Sequence, residues 1–246
     1  MVQRQRKLLY RLGTRKLHYL IKDELESLYL KCGRDKLFRY LREDDLLIKP
    51  KRRYIQTTNS KHWLRKYPNL IKDIIVQHPE QLWVSDITYI KTKEGNCYLN
   101  MITDAFSKKI VGYSLADNME ASTMIKAYKM ALANKQNKFI QTIHHSDRGL
   151  QYCSKEYIEL SHQNNCLVSM TENGDPYENA LAERMNRTIK EEFGLGEELT
   201  NKQLAQQMIH QAVNLYNNIR PHLALNYQTP NQVHKKIPDN YDSYQG

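Results

Sequence analysis

The amino-acid sequence predicts an α/β protein: a mixed five-stranded sheet flanked by helices, preceded by a small all-α module. Three observations carry that expectation. From residue 82 onward three β-rich runs follow one another across short turns, and helical and β-rich runs then alternate. Ahead of them, two short amphipathic patterns flank a break at Cys32-Gly33. Charge divides in the same way. Residues 1–66 hold 19 Lys/Arg and 7 Asp/Glu, a net of +12, and since the whole chain is +10, residues 67–246 come to −2.

In the first module, Leu17, Leu20, Ile21, Leu25 and Leu28 recur at helical spacing over residues 15–30. A second helix is expected over 34–45, with Leu37, Phe38 and Leu41 turned inward and Arg34, Lys36, Arg39 and Arg42 outside. Two helices across a glycine turn, the second one basic, resemble a helix-turn-helix, so these four cations are candidate DNA contacts. The alternative is an αα-hairpin that only packs. Lys51, Arg52 and Arg53 follow in a basic turn suited to phosphate contact. The module is placed at 1–53. Residues 54–79, with two prolines and no sustained period, form a linker or arm in which His62, Trp63 and Tyr67 read as packing residues.

The core is placed at 80–220. Leu82–Ile90 is its first strand, and Lys93-Glu94-Gly95-Asn96 turns it into a second starting at Cys97. A third strand runs over Lys109–Ala116. A helix over 120–134, a strand over Phe139–Ile143 leading into His144-His145-Ser146-Asp147, a helix over 155–165 and a strand over Cys166–Met170 come next. A helix opening near Pro176 then carries Ala180, Leu181, Ala182, Met185 and Ile189 on its apolar side, and a long helix covers Lys202–Asn218. Residues 221–246, rich in proline, read as an extended tail.

Three acidic residues stand out in this frame. Asp86 sits inside an apolar, β-branched strand, where an ionised carboxylate is costly unless it is paired or binds metal. Asp147 closes another strand. Glu183 lies on a helix whose Asn179, Glu183, Arg187 and Lys190 are four, four and three residues apart and share a face. Sixty residues separate Asp86 from Asp147, and 35 separate Asp147 from Glu183. Such a set can hold divalent metal beside a phosphate, with Arg187 and Lys190 as phosphate contacts. Asp104 also ends a strand and is expected to be structural. Glu178 lies roughly 140° around the helix from Glu183, so the two cannot face one metal.

Four blocks of this chain resemble the DDE transposases and retroviral integrases, and more closely the second-frame (OrfB-type) subunit of insertion-sequence family three. They are Trp83-Val84-Ser85-Asp86-Ile87-Thr88-Tyr89, His145-Ser146-Asp147-Arg148-Gly149-Leu150-Gln151-Tyr152, Tyr177-Glu178-Asn179-Ala180-Leu181-Ala182-Glu183, and Tyr216-Asn217-Asn218-Ile219-Arg220-Pro221-His222. The resemblance implies an RNase H-like integrase core. It implies Asp86, Asp147 and Glu183 as catalytic residues and ligands of two Mg2+ ions, with Mn2+ able to substitute. The implied activity is metal-dependent cleavage and strand transfer at element ends, on double-stranded DNA, by a homo-oligomer. A first-frame (OrfA-type) partner or fusion would supply the coiled coil and further helix-turn-helix not found here. Asp175-Pro176 and Leu150 depart from the commoner family pattern without touching an expected ligand.

Two other readings stay open. One is a non-catalytic DNA-binding regulator derived from a transposase, against which the intact acidic triad argues. The other is a nuclease of the same fold without strand transfer, such as a resolvase, against which the four blocks argue. No apolar run reaches the roughly 18–20 residues of a membrane span, and the first residues lack a signal-peptide core. Cys32, Cys97, Cys153 and Cys166 show no zinc spacing. A reduced, cytoplasmic, DNA-associated bacterial protein is the expectation.

Overall fold

The computed structural model describes residues 1–48, 67–172 and 179–236. Lys51, Arg52, Arg53, His62, Trp63, Asp175, Pro176 and Glu178 lie outside the described residues, so the expectations placed on them are not addressed by it.

The sheet has the order β3-β2-β1-β4-β5. Strands β1 (Leu82–Thr92), β2 (Gly95–Asp104) and β3 (Ile110–Ala116) form the antiparallel meander. Strands β4 (Thr142–Ser146) and β5 (Cys166–Met170) run parallel to β1 on its other side. The β1–β2 turn works because Gly95 takes φ of 113°, a conformation that costs side-chain-bearing residues dearly.

Period-2 alternation along β1 sorts its side chains between two layers. Trp83 joins Met124, Ala127 and Tyr128 of α4 (Ala121–Ala133) and Tyr157 of α5 (Lys155–Gln163) on one face. Leu82 and Val84 meet Ala182 of α6 (Ala180–Glu192) on the other. Further along that second face Ile90, Leu99 and Met101 pack against Met185, Ile189, and Ala205, Ile209, Ala212 and Tyr216 of α7 (Lys202–Asn218). α4 crosses β3 at Gly112, where a Cβ would stand 2.2 Å from the Ala127 carbonyl oxygen. Only a glycine lets that helix lie so close.

Helices α1 (Val2–Leu8), α2 (Thr14–Ser27) and α3 (Arg34–Glu43) enclose Leu9, Leu12, Leu17, Ile21, Leu25, Leu37 and Leu41. Phe193 and Leu215 also pack on this cluster, and Tyr19 stacks on Tyr227 with ring centroids 4.6 Å apart. The helical module thus sits against the end of α6, α7 and the tail. α1 has no apolar period and buries none of its own residues, so nothing in its pattern announced it. Leu28, the last residue of the expected helical repeat, falls just past α2 and is exposed, where Tyr29 reverses the chain at φ of 56°.

Two other expectations shift. The fourth strand starts at Thr142, leaving Phe139 exposed before it and bringing His144 and His145 inside. The tail is not simply extended. It carries α8 (Pro230–His234), begun by a capping box in which Thr229 and Gln232 bond reciprocally. Its His234 is fully buried and bonds Ser107 Oγ (2.9 Å), which in turn donates to Asp104 Oδ1 (2.7 Å). Asp104 also accepts the amides of Ser107 (2.7 Å) and Glu80 (2.6 Å). Asp104 is therefore consumed by structure, as expected for it.

Candidate active site

Register brings the two aspartates together. β1 and β4 pair in parallel with Trp83 opposite His144 and Val84 opposite His145. Two residues beyond that last pair stand Asp86, on β1, and Asp147, just past β4. Asp86 has the parity of Leu82 and Val84, so it faces α6. Asp147 lies one residue beyond the end of β4 and its Oδ1 accepts the Gly149 amide at 3.0 Å.

α6 crosses that face. At its start, the Asn179 side chain donates to the Ser85 carbonyl (3.0 Å), fixing the helix to β1 beside Asp86. One turn in, Glu183 is half-buried, and three residues later Asn186 donates to Asp86 Oδ2 at 2.9 Å. Asp86 Oδ1 accepts the Ile87 amide (2.9 Å). Asn186 was not among the residues expected in the site. Its sequence signal is its position three after Glu183, on the same side of a helix that must cover β1.

The electrostatics follow from burial. Asp86 is pushed up to about 7, first by burial and then by the charge of Asp147, with Glu183 adding to it, while the Ile87 amide and Asn186 work the other way. Burial also raises Glu183, which Arg187 partly offsets. Arg187 is exposed. Lys190 donates to Thr88 Oγ1 (2.9 Å), lies 4.3 Å from the Tyr89 ring centroid, and is lowered to about 8 by burial despite the opposing charge of Asp86.

Among the described residues, no three His, Cys, Asp or Glu side chains already form a metal-holding group. Asp86 and Asp147 are adjacent and Glu183 is near enough for its charge to act on Asp86, but the three are not closed into a cage. The donor set is nevertheless the right kind for a hard cation: carboxylate oxygens, one of them buried and raised by its neighbours for want of a compensating charge.

Behind the site a polar layer aligns the strands. His144 is held neutral, lowered to about 3 by burial and then by His145, and bonds Ser85 Oγ (2.9 Å) and Tyr157 OH (2.9 Å) while stacking on Tyr128 at 4.8 Å. His145 bonds Ser169 Oγ (2.8 Å). Both histidines pack and hydrogen-bond, as expected. His222 packs edge-on to Tyr216. On α3, Arg34, Lys36, Arg39 and Arg42 are all exposed, on the module and not at the acidic residues; Arg34 bonds Asp35 (2.9 Å) and Arg39 lies 3.7 Å from Glu43.

Comparison with known proteins agrees with this architecture. The Integrase core domain family matches residues 76–176, and a second family of the same description matches residues 164–230. The chain is 36% identical over 226 residues to the insertion element IS600 uncharacterized 31 kDa protein of Shigella sonnei, covering 91% of this chain and 81% of that one. It is 35% identical over 182 residues to the transposase for insertion sequence element IS904 of Lactococcus lactis (71% and 72% covered). Against transposase InsF for insertion sequence IS3A of Escherichia coli K12 it is 31% identical over 198 residues (80% and 68%). The magnesium-bound catalytic core domain of HTLV-2 integrase shares the fold at a TM-score of 0.51 and 21% identity, over 64% of this chain and 97% of that one. A chain of the simian T-cell lymphotropic virus intasome shares it at 0.56 and 16%, over 98% and 76%. The expected mixed five-stranded, RNase H-like core is thus the fold observed. No helix among the described residues is long and apolar enough to cross a membrane. The chain belongs to the insertion-sequence transposases built on an integrase core domain.

Proposed function

We propose that Asp86, Asp147 and Glu183 are the catalytic residues of a transposase that cleaves DNA at its element's ends and joins the freed ends to a target. What supports this is the parallel β1–β4 register, which leads to Asp86 on β1 and to Asp147 just past β4, together with Asp147 and Glu183 being close enough for their charge to act on Asp86. The three carboxylates Asp86, Asp147 and Glu183 would hold two Mg2+ ions, or Mn2+ in their place. Magnesium bound there supplies the positive charge that activates the attacking hydroxyl and offsets charge on the leaving oxygen.

The chain's own residues do the rest. Asn186 and the Ile87 amide hold the Asp86 carboxylate in one orientation, so both oxygens have a defined direction before metal arrives. Asn179 fixes the start of α6 against β1 and with it the reach of Glu183. Lys190, poised on Thr88 and Tyr89, and Arg187 beside Glu183 offer cations to a phosphodiester placed over the site. Arg34, Lys36, Arg39 and Arg42, with Lys51, Arg52 and Arg53, are the proposed contacts of the first module with double-stranded DNA. The working form is a homo-oligomer on DNA in the bacterial cytoplasm, joined by a first-frame (OrfA-type) partner or fusion. Domain limits of 1–53, 54–79, 80–220 and 221–246 accompany this reading.

The test is incubation with labelled element ends and magnesium, following release of a 3′-hydroxyl and its joining. Asp86→Asn, Asp147→Asn and Glu183→Gln should each abolish both steps and leave duplex binding in place. Cleavage by the Asp86→Asn protein at the parental rate would refute the assignment.

A further inference from the structure

We propose that Tyr152 is a positioning residue for Asp147: its buried hydroxyl is a donor held in reserve for the Asp147 carboxylate, taken up when the acidic residues close on a divalent cation. This deepens the reading of Asp86, Asp147 and Glu183 as a metal site and rests on it.

Tyr152 lies in a short 3-10 turn, Leu150–Cys153, that begins three residues after Asp147. The backbone ties this turn to the aspartate. The Gly149 amide donates to Asp147 Oδ1 (3.0 Å), and the Gly149 carbonyl accepts the Tyr152 amide (3.1 Å). The Tyr152 side chain is turned inward, and the residue is 1% exposed. Its ring stands edge-on to His144 at 6.2 Å and to Tyr157 at 6.1 Å between centroids. His144 in turn bonds Ser85 Oγ at 2.9 Å. The ring therefore packs among residues that lead into both aspartates, His144 shortly before Asp147 and Ser85 directly before Asp86.

Packing accounts for the ring and leaves the hydroxyl unexplained. The Tyr152 oxygen is buried and has no hydrogen-bond partner among the described residues. Ser85 is near enough to favour its charged form, yet no bond of sound geometry joins the two. An unpaired buried hydroxyl is costly, and phenylalanine would fill the same space without that cost. Burial raises the Tyr152 hydroxyl well above its usual value; among the charges that add to this, Asp147 acts most and Asp86 less. The group thus keeps its proton, close to the carboxylate that can accept it in a hydrogen bond.

The unused donor gains a partner if the carboxylates move. As they stand, the acidic side chains among the described residues do not form a cation-holding group, so holding one requires a shift. A ligand that gives lone pairs to a cation is oriented by hydrogen bonds from its other side, and such bonds tune affinity. The Gly149 amide offers Asp147 one such bond from the turn. Tyr152 offers another from the interior.

The experiment compares the full-length parent with Tyr152→Phe and Tyr128→Phe. Tyr128 belongs to the same core cluster and has a buried, unpartnered hydroxyl, but the charges acting on it come from Cys166 and Tyr157 and not from an aspartate. Two quantities are measured: melting without metal, and Mn2+ affinity from the loss of the free ion's paramagnetic signal during titration. Tyr152→Phe should melt at or above the parent without metal, since it keeps the ring and removes an unpaired polar group. It should bind Mn2+ about 10-fold more weakly, the lower end of what partners behind a metal ligand contribute, because the Gly149 amide remains. In cleavage, the magnesium needed for half-maximal rate should rise by a similar factor, with the rate at saturating magnesium changed far less. Tyr128→Phe should leave Mn2+ affinity unaltered. Unchanged Mn2+ affinity in Tyr152→Phe, an equal loss in both variants, or a fall in the metal-free melting of Tyr152→Phe overturns the role of Tyr152 and leaves the metal site standing. A parent protein that binds no Mn2+ overturns the metal-site reading beneath it as well.

Discussion

Replacing Arg220 with alanine should destabilise the protein by about 3 kcal/mol. Arg220 is 4% exposed and grips Glu192 through two bonds of 2.6 Å, at the corner after α7 where the chain meets the end of α6. Removing one partner of a buried ion pair costs about 3–5 kcal/mol, because the other charge is left uncompensated. The lower end applies because Lys16 remains 3.3 Å from Glu192, whose side chain keeps 21% of its exposure. In a chain of this size each kcal/mol moves the melting temperature by roughly 2–4 °C, so melting followed by circular dichroism should show a fall of about 10 °C. The pH dependence has a definite sign. Burial pushes the Glu192 carboxyl up, but the bonds and charge of Arg220, with Lys16, outweigh it and hold it below its usual value. That stabilisation is present above the unfolded carboxyl's pKa of about 4.3 and is lost as pH falls through the folded value. The gap between parent and Arg220→Ala should therefore narrow below about pH 4. Adding Glu192→Gln to Arg220→Ala removes the stranded charge and should recover part of the loss. A cost under about 1 kcal/mol at neutral pH, or a double variant as unstable as the sum of the singles, would refute the reasoning.

Other expectations are quickly tested. Magnesium and manganese should support cleavage of labelled ends, whereas calcium, with its larger and looser coordination, should support binding alone; equal cleavage in calcium would count against the carboxylate site. Asp104→Asn should lower stability by about 1–3 kcal/mol, since the amide cannot accept all of the bonds from Ser107 and Glu80 that the carboxylate accepts. Its folded fraction, isolated at low temperature, should still cleave. Gly112→Ala should cost about 1–3 kcal/mol or more in urea unfolding, because its methyl meets the backbone of α4 at 2.2 Å; a neutral result would mean that α4 can move off the sheet freely.

Local pattern decided a good deal by itself. Cys166–Met170 and Lys202–Asn218 have the bounds expected of them, since a short, mostly apolar run between polar segments suits a buried strand and a long amphipathic repeat suits a helix. Asp86 was legible because a carboxylate inside an apolar strand has no local justification. Asp104 looked similar in sequence, and only the folded chain separates them: the parity of β1 turns Asp86 toward α6, while the turn after β2 spends Asp104 on the Ser107 and Glu80 amides. α1 was silent because it has no apolar face of its own. α8 did carry a signal, Thr229-Pro230 with Gln232, but its helix is too short to show a period and is held by His234 reaching Ser107, 127 residues away. The adjacency of Asp86 and Asp147 belongs to tertiary structure as well. Two residues with 60 others between them become neighbours only through the parallel register of β1 and β4, which long-range pairing sets and no local preference encodes.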